Sequence, residues 1–226
     1  MGVANAAGPG PADLAVPESL DPSELTRRLA ADEWVVDLRR RVAFASNHLL
    51  GSVSFEYGTS FSTYLGWILP WGEQLTLVGS RDDVENAIRD LSRIGIESTD
   101  AALGTDPHAL APRAALASYP RVGWDGMLAG RAPGDTVIDV RRADEFAASR
   151  VAGAVNVPLH DLLRQLDSVP AGKLWVHCTS GYRAGIAASL LQRAGRDVVH
   201  IEANFDDAGP AGIPVDAGGD PSASPD

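Results

Sequence analysis

The chain carries an alignment with itself. "VDLRRRVAFASNHLLGSVSF" (36–55) and "IDVRRADEFAASRVAGAVNV" (138–157) lie 102 positions apart and agree at seven of twenty positions. The shared residues are Asp37/Asp139, Arg39/Arg141, Arg40/Arg142, Phe44/Phe146, Ala45/Ala147, Gly51/Gly153 and Val53/Val155. Ordinary residue frequencies would give roughly one or two such matches. Downstream, "LTLVGSRDDVENAIRDLSRIG" (75–95) follows "LWVHCTSGYRAGIAASLLQRAG" (174–195) with one residue missing, which sets Gly79 opposite Cys178. The expectation is a tandem duplication, and 226 residues suit two compact domains.

Each copy alternates strand-length apolar runs with helical spacing. In the first, Asp21 ahead of Pro22 caps a helix over "SELTRRLAAD", followed by the strands "WVVDL", "VSF" and "LTLVG". "RDDVENAIRDLSRIG" then places apolar residues at 84, 87, 88, 91 and 94, with Gly95 as its stop. The second copy reads as strands "TVIDV", "GAVNV", "KLWVH" and "DVVHI" with helices "ADEFAAS", "HDLLRQLD" and "RAGIAASLLQRAG". Such alternation predicts an α/β fold: two tandem domains, each a small parallel sheet flanked by helices on both faces. The expected boundaries are 18–106 and 107–216, between a loose Gly/Ala/Pro-rich start (1–17) and a loose acidic end from about 216 or 217 to 226.

A net charge of −11 argues against nucleic-acid and anionic-membrane partners, which require a basic face. The single cysteine cannot form an internal disulfide, and scattered histidines give no metal-ligand spacing. The beginning "MGVANAAGPGPADL" does not read as a signal peptide, and no apolar run has the length of a spanning helix. A soluble, cytoplasmic protein without metal or cofactor is the expectation.

That one cysteine, Cys178, stands between the strand "KLWVH" and a helix beginning near Arg183. Ligands of parallel sheets bind at this place, beyond the carboxyl ends of strands. Gly181 permits a left-handed turn, so the N–H groups of Thr179 to Arg183 can converge on the sulfur. Those amides, the helix N-terminus and the Arg183 guanidinium all favour an anion there. His177 faces away along the strand and is read as a core or strand-end residue rather than a base. The plain alternative for Cys178 is a small buried hydrophobe; the Gly/Ser/Arg loop weighs towards a reactive thiol.

"VIDVRRADEF" (137–146), "GAVNVPL" (153–159) and "CTSGYRAG" (178–185) together resemble the rhodanese superfamily of sulfurtransferases. The resemblance runs over about 18–215 and implies two rhodanese-like domains. It implies Cys178 as the nucleophile that carries sulfane sulfur as a persulfide. Thr179, Ser180, Gly181, Tyr182 and Arg183 would cradle the substrate, with Arg183 also binding an anionic donor, and Asp139 and Arg141 would brace the fold beneath. Thiosulfate or a low-molecular-weight persulfide would be the donor, and a thiol or cyanide the acceptor. Phosphatase-like relatives place the arginine six positions after the cysteine; here Arg183 lies five after, a ring suited to a single sulfur.

The first copy has Gly79, Ser80, Arg81, Asp82 and Asp83 at the loop, which implies an inactive half. Its "YGTSFSTYLGWILPWG" (57–72) is similar to the inactive rhodanese half of persulfide dioxygenase–rhodanese fusions, which would make a separate dioxygenase a partner. "GWILPWG" reads as packing between the halves in preference to a substrate lid. "RVAG" (150–153) and "EANFDDAG" (202–209) depart from the family pattern at the pocket edge. The competing expectation is a non-catalytic docking or regulatory module for a sulfide-oxidation enzyme.

Overall fold

The computed structural model describes residues 14–97 and 99–218; the expected loose ends at 1–13 and 219–226 lie outside the described residues. Two wholly parallel sheets form the frame. The first has the order Val53–Ser54, Trp34–Asp37, Leu75–Gly79, Thr99–Leu103. The second has the order Val155–Asn156, Thr136–Asp139, Lys173–His177, Asp197–Ile201, Arg121–Val122. Their registers correspond. Trp34 pairs with Leu75 as Thr136 pairs with Leu174, and Val36 with Val53 as Ile138 with Val155. Gly79 and Cys178 therefore stand at equivalent strand ends.

The strands "WVVD" and "LTLVG" are buried at every residue, as a parallel sheet covered on both faces requires. On one face of the first sheet, Val36, Leu77 and Ala101 meet Phe61 and Leu65 of helix Phe61–Ile68 and Val84, Ile88 and Leu91 of helix Arg81–Ser92. On the other, Val35, Val78 and Ala102 meet Leu25 of helix Pro22–Ala30. That helix starts where expected, with the Asp21 carboxylate accepting from the amides of Ser23 and Glu24 at 2.9 and 3.1 Å. In the second sheet Ile138, Val176 and Val198 face helix Tyr182–Arg193, while Val137, Trp175 and Val199 face Trp124 and Met127 of helix Trp124–Gly130.

The largest apolar cluster is continuous across the two sheets, running from Trp34 and Phe44 to Ile138, Leu174 and Leu191. Helix Tyr182–Arg193 makes this possible. All its residues from Ala184 to Leu191 are buried, and Ala184, Gly185, Ala187, Ala188 and Ser189 are small enough for both sheets to approach. Ser189 Oγ accepts the amide of Ser54 at 2.9 Å and so satisfies the edge strand of the first sheet.

Both expected loose ends need correction. Val215–Ala217 is a strand paired antiparallel with Ser149–Val151, so residues 216 and 217 belong to the fold; the pairing satisfies backbone groups of both segments. "HDLLRQLD" forms a 3₁₀ helix, Leu159–Ser168. Val16, within the expected loose start, packs against the main core. No helix among the described residues is long and apolar enough to cross a membrane.

Candidate functional site

Cys178 directly follows strand Lys173–His177, its side chain on the Leu174/Val176 face. His177 points to the opposite face, where its ring stacks on Phe205 (5.8 Å) and meets Trp124 (5.3 Å). Burial pushes the His177 pKa down, and it stands as a neutral core histidine with no access to the thiol.

The loop turns at Gly181, with φ +87°. A Cβ there would come within 3.2 Å of Glu202 Cδ and 3.3 Å of Glu202 Cα, so both conformation and space demand glycine. The turn aims the Gly181 amide at Cys178 Sγ, 3.2 Å away. Helix Tyr182–Arg193 begins at the next residue, and its first-turn amides lack intrahelical partners. Cys178 itself is 1% exposed and forms the floor of the loop.

The other loop residues divide. Ser180 is exposed. Arg183 is bidentate to Glu145 at 2.7 and 2.9 Å, and its Nη2 also donates to Thr179 Oγ1 at 2.7 Å. Thr179 in turn donates to Glu145 at 3.0 Å. Arg183 holds the Glu145 carboxyl down at a pKa of about 2, and Glu145 raises that of Arg183. Tyr182 leaves the loop altogether: its hydroxyl donates to the Glu56 carbonyl at 2.6 Å, and burial raises its pKa.

Glu56 belongs to the first half, and it is one end of a strut. Arg41 reaches Glu56 at 2.6 Å and Glu202 at 2.6 Å, and the Glu202 side chain lies against Gly181. His200 Nε2 donates to the Gly181 carbonyl at 2.9 Å. Burial brings the His200 pKa down to about 4. The cysteine loop is thus gripped from beneath by its own sheet and from the side by the cysteine-free half.

Asp139 and Arg141 lie under the site. Arg141 donates to both Asp139 oxygens at 2.7–3.0 Å and to the Ser149 carbonyl at 2.7 Å, and its guanidinium lies 3.6 Å over the Phe205 ring. Asp37 and Arg39 repeat the device in the first half, with Arg39 also bonding the Asn47 carbonyl at 2.9 Å. This buried pair has a bracing geometry.

Sequence reasoning did not single out Glu145, Arg41, Glu56, Glu202 or Tyr64. Glu202 carried one available signal, since it follows strand Asp197–Ile201 on the same sheet edge as Cys178. Arg41 and Tyr64 come from the other half, and no local pattern could bring them here. "GWILPWG" does not simply pack between halves. Trp67 meets Tyr64 and, across the interface, His160 at 6.0 Å, but Trp71 is 89% exposed and borders an open groove of about 670 Å³ beside Ile94 and Glu97. Pro70 and Gly72 (φ +86°) turn the chain outward there.

Residues 126–207 match the rhodanese-like domain family. Two curated relatives align at 30% identity. One is the HTH-type transcriptional regulator Rv0324 of Mycobacterium tuberculosis, over 86 residues that cover 37% of this chain and 38% of that protein. The other is the uncharacterized protein YqhL of Bacillus subtilis, over 71 residues that cover 30% of this chain and 56% of that protein. The matches therefore span well under two thirds of either relative. Among solved structures, a thiosulfate sulfurtransferase from Pseudomonas aeruginosa aligns over 88% of this chain and 43% of its own, at 18% identity and a TM-score of 0.38. A rhodanese-related protein from Thermoplasma volcanium aligns over 43% of this chain and 98% of its own, at 24% identity and a TM-score of 0.40. Cys178 and its loop lie within the residues that match the rhodanese-like domain family.

Proposed function

We propose that this protein is a sulfurtransferase in which Cys178 takes sulfane sulfur from thiosulfate or a low-molecular-weight persulfide and passes it to a thiol or cyanide. The observation that carries this reading is the Gly181 amide held 3.2 Å from Sγ, at a strand end and a helix start. An anionic sulfur is favoured by that donor and by the helix N-terminus. In the first step Cys178–S⁻ attacks the outer sulfur of the donor. The donor S–S (or S–SO₃) bond breaks, its electron pair leaves with the thiolate or sulfite, and a Cys178 persulfide forms. An acceptor then attacks the outer sulfur and restores Cys178–S⁻, with no net oxidation. No second cysteine exists in the chain to resolve the persulfide, so the acceptor comes from outside.

In this reading residues 107–216 are the catalytic domain and 18–106 a rhodanese-like domain without its cysteine. The second half supplies the nucleophile and the first supplies Arg41, Glu56 and Tyr64. The cytoplasm and a separate persulfide dioxygenase are the setting and partner that fit sulfur chemistry of this kind. A docking or regulatory module is the second reading, favoured by a cysteine only 1% exposed and by the exposed Trp71. The test is thiocyanate formation from thiosulfate or glutathione persulfide plus cyanide. Wild type turns over with at least one donor and Cys178→Ser gives the uncatalysed rate. Equal rates for the two proteins would leave only the docking reading.

A further inference from the structure

Arg183 is the loop's own cation, and its charge is already taken. Glu145 holds it through two hydrogen bonds of 2.7 and 2.9 Å, and Thr179 takes a third at 2.7 Å. The neighbouring cations are matched too. Arg41 lies between Glu202 and Glu56, and Arg142 pairs with Asp144 at 2.7 Å. Arg40 is 80% exposed and has Glu56 at 3.8 Å. Among the described residues, the cations that touch the loop or its strut, Arg183, Arg41 and Arg142, therefore each face a carboxylate, within a chain of net charge −11.

The side of the loop is aromatic instead. Tyr64 of helix Phe61–Ile68 has its ring 5.6 Å from that of Tyr182, the loop residue next to Arg183. Trp67, 51% exposed, meets Tyr64 edge-on at 5.3 Å and His160 at 6.0 Å. This wall suits the carbon skeleton of a donor.

We propose that Glu145, by neutralising Arg183, together with the Tyr64–Trp67 wall, selects an organic persulfide of at most one negative charge over thiosulfate. The inference rests on the sulfurtransferase reading above and names its donor class. The chemistry balances: RSSH and Cys178–S⁻ give Cys178–SSH and RS⁻. A singly charged leaving group then replaces the doubly charged sulfite beside the Glu145 carboxylate.

The experiment compares the second-order rates at which benzyl persulfide and thiosulfate load Cys178 on the full chain, read by rapid quench and intact mass. Wild type should load from benzyl persulfide faster by about a hundredfold, the product of a charge and an apolar preference of about tenfold each. Glu145→Gln frees the Arg183 charge and should raise the thiosulfate rate about tenfold relative to the benzyl persulfide rate. Trp67→Ala should lower only the benzyl persulfide rate. On wild type alone, thiosulfate loading should rise with ionic strength as repulsion is screened, which keeps the proposal testable if Glu145→Gln fails to fold. Equal wild-type rates, an unchanged ratio in Glu145→Gln, or thiosulfate loading that falls with salt would overturn the donor assignment and leave sulfur transfer standing. Loading from neither donor would overturn both.

Discussion

Gly181 is the residue on which the sulfur-binding geometry turns. Its φ of +87° costs an L-residue about 1 kcal/mol, and the added methyl would press on Glu202 at 3.2–3.4 Å. Gly181→Ala should therefore lower thermal stability measurably and cut sulfur loading by more than tenfold, because the amide can no longer meet Sγ; calorimetry and a loading assay would read the two effects separately. A left-handed glycine was legible in "CTSGYR" because few other reasons put glycine between a strand and a helix. The engagement of Arg183 was not. Glu145 lies 38 positions away, and "RRADEF" gave no sign of which charge it would meet.

At the scale of elements, helix Tyr182–Arg193 was legible as a helix but not as a layer shared by two sheets. Its alanine-rich sequence lacks a polar face because solvent reaches neither side over 184–191. Helix Phe61–Ile68 was missed: its aromatic run lacks capping signals, and Ser60 makes no side-chain cap. The Arg41 strut joins Glu56 of the first half to Glu202 of the second beside the loop. Arg41→Ala should leave the partly buried Glu202 without its arginine and Glu56 with only the exposed Arg40 at 3.8 Å, at a cost of about 3 kcal/mol. Loop positioning then predicts kcat for sulfur transfer falling more than tenfold at permissive temperature, with partial recovery in Arg41→Lys. A purely structural role predicts a lower Tm with kcat unchanged.

At the scale of the molecule, the two parallel sheets were legible from the internal alignment, since matched residues occupy matched register positions. Their common core was not, because side-chain packing between halves has no sequence period. That core also carries a pH sensitivity. His48, His177 and His200 are buried, and burial pushes each pKa down, that of His200 to about 4. For His200, a folded-state pKa below the unfolded value near 6.5 gives stability that is complete above about pH 6.5 and is lost as pH falls towards 4, at about 1.4 kcal/mol per pH unit; His48 and His177 act in the same direction. His200→Gln, which keeps a donor for the Gly181 carbonyl, should flatten that decline in denaturant titrations between pH 7 and 4. An unchanged slope would assign the acid sensitivity elsewhere. The central claim concerns Cys178, and it is tested most directly by the intact mass of the full chain after anaerobic exposure to a persulfide donor. The account predicts a gain of one sulfur atom, located to the Cys178 peptide and removed by a thiol; a mass that stays at the unmodified value under saturating donor would contradict it.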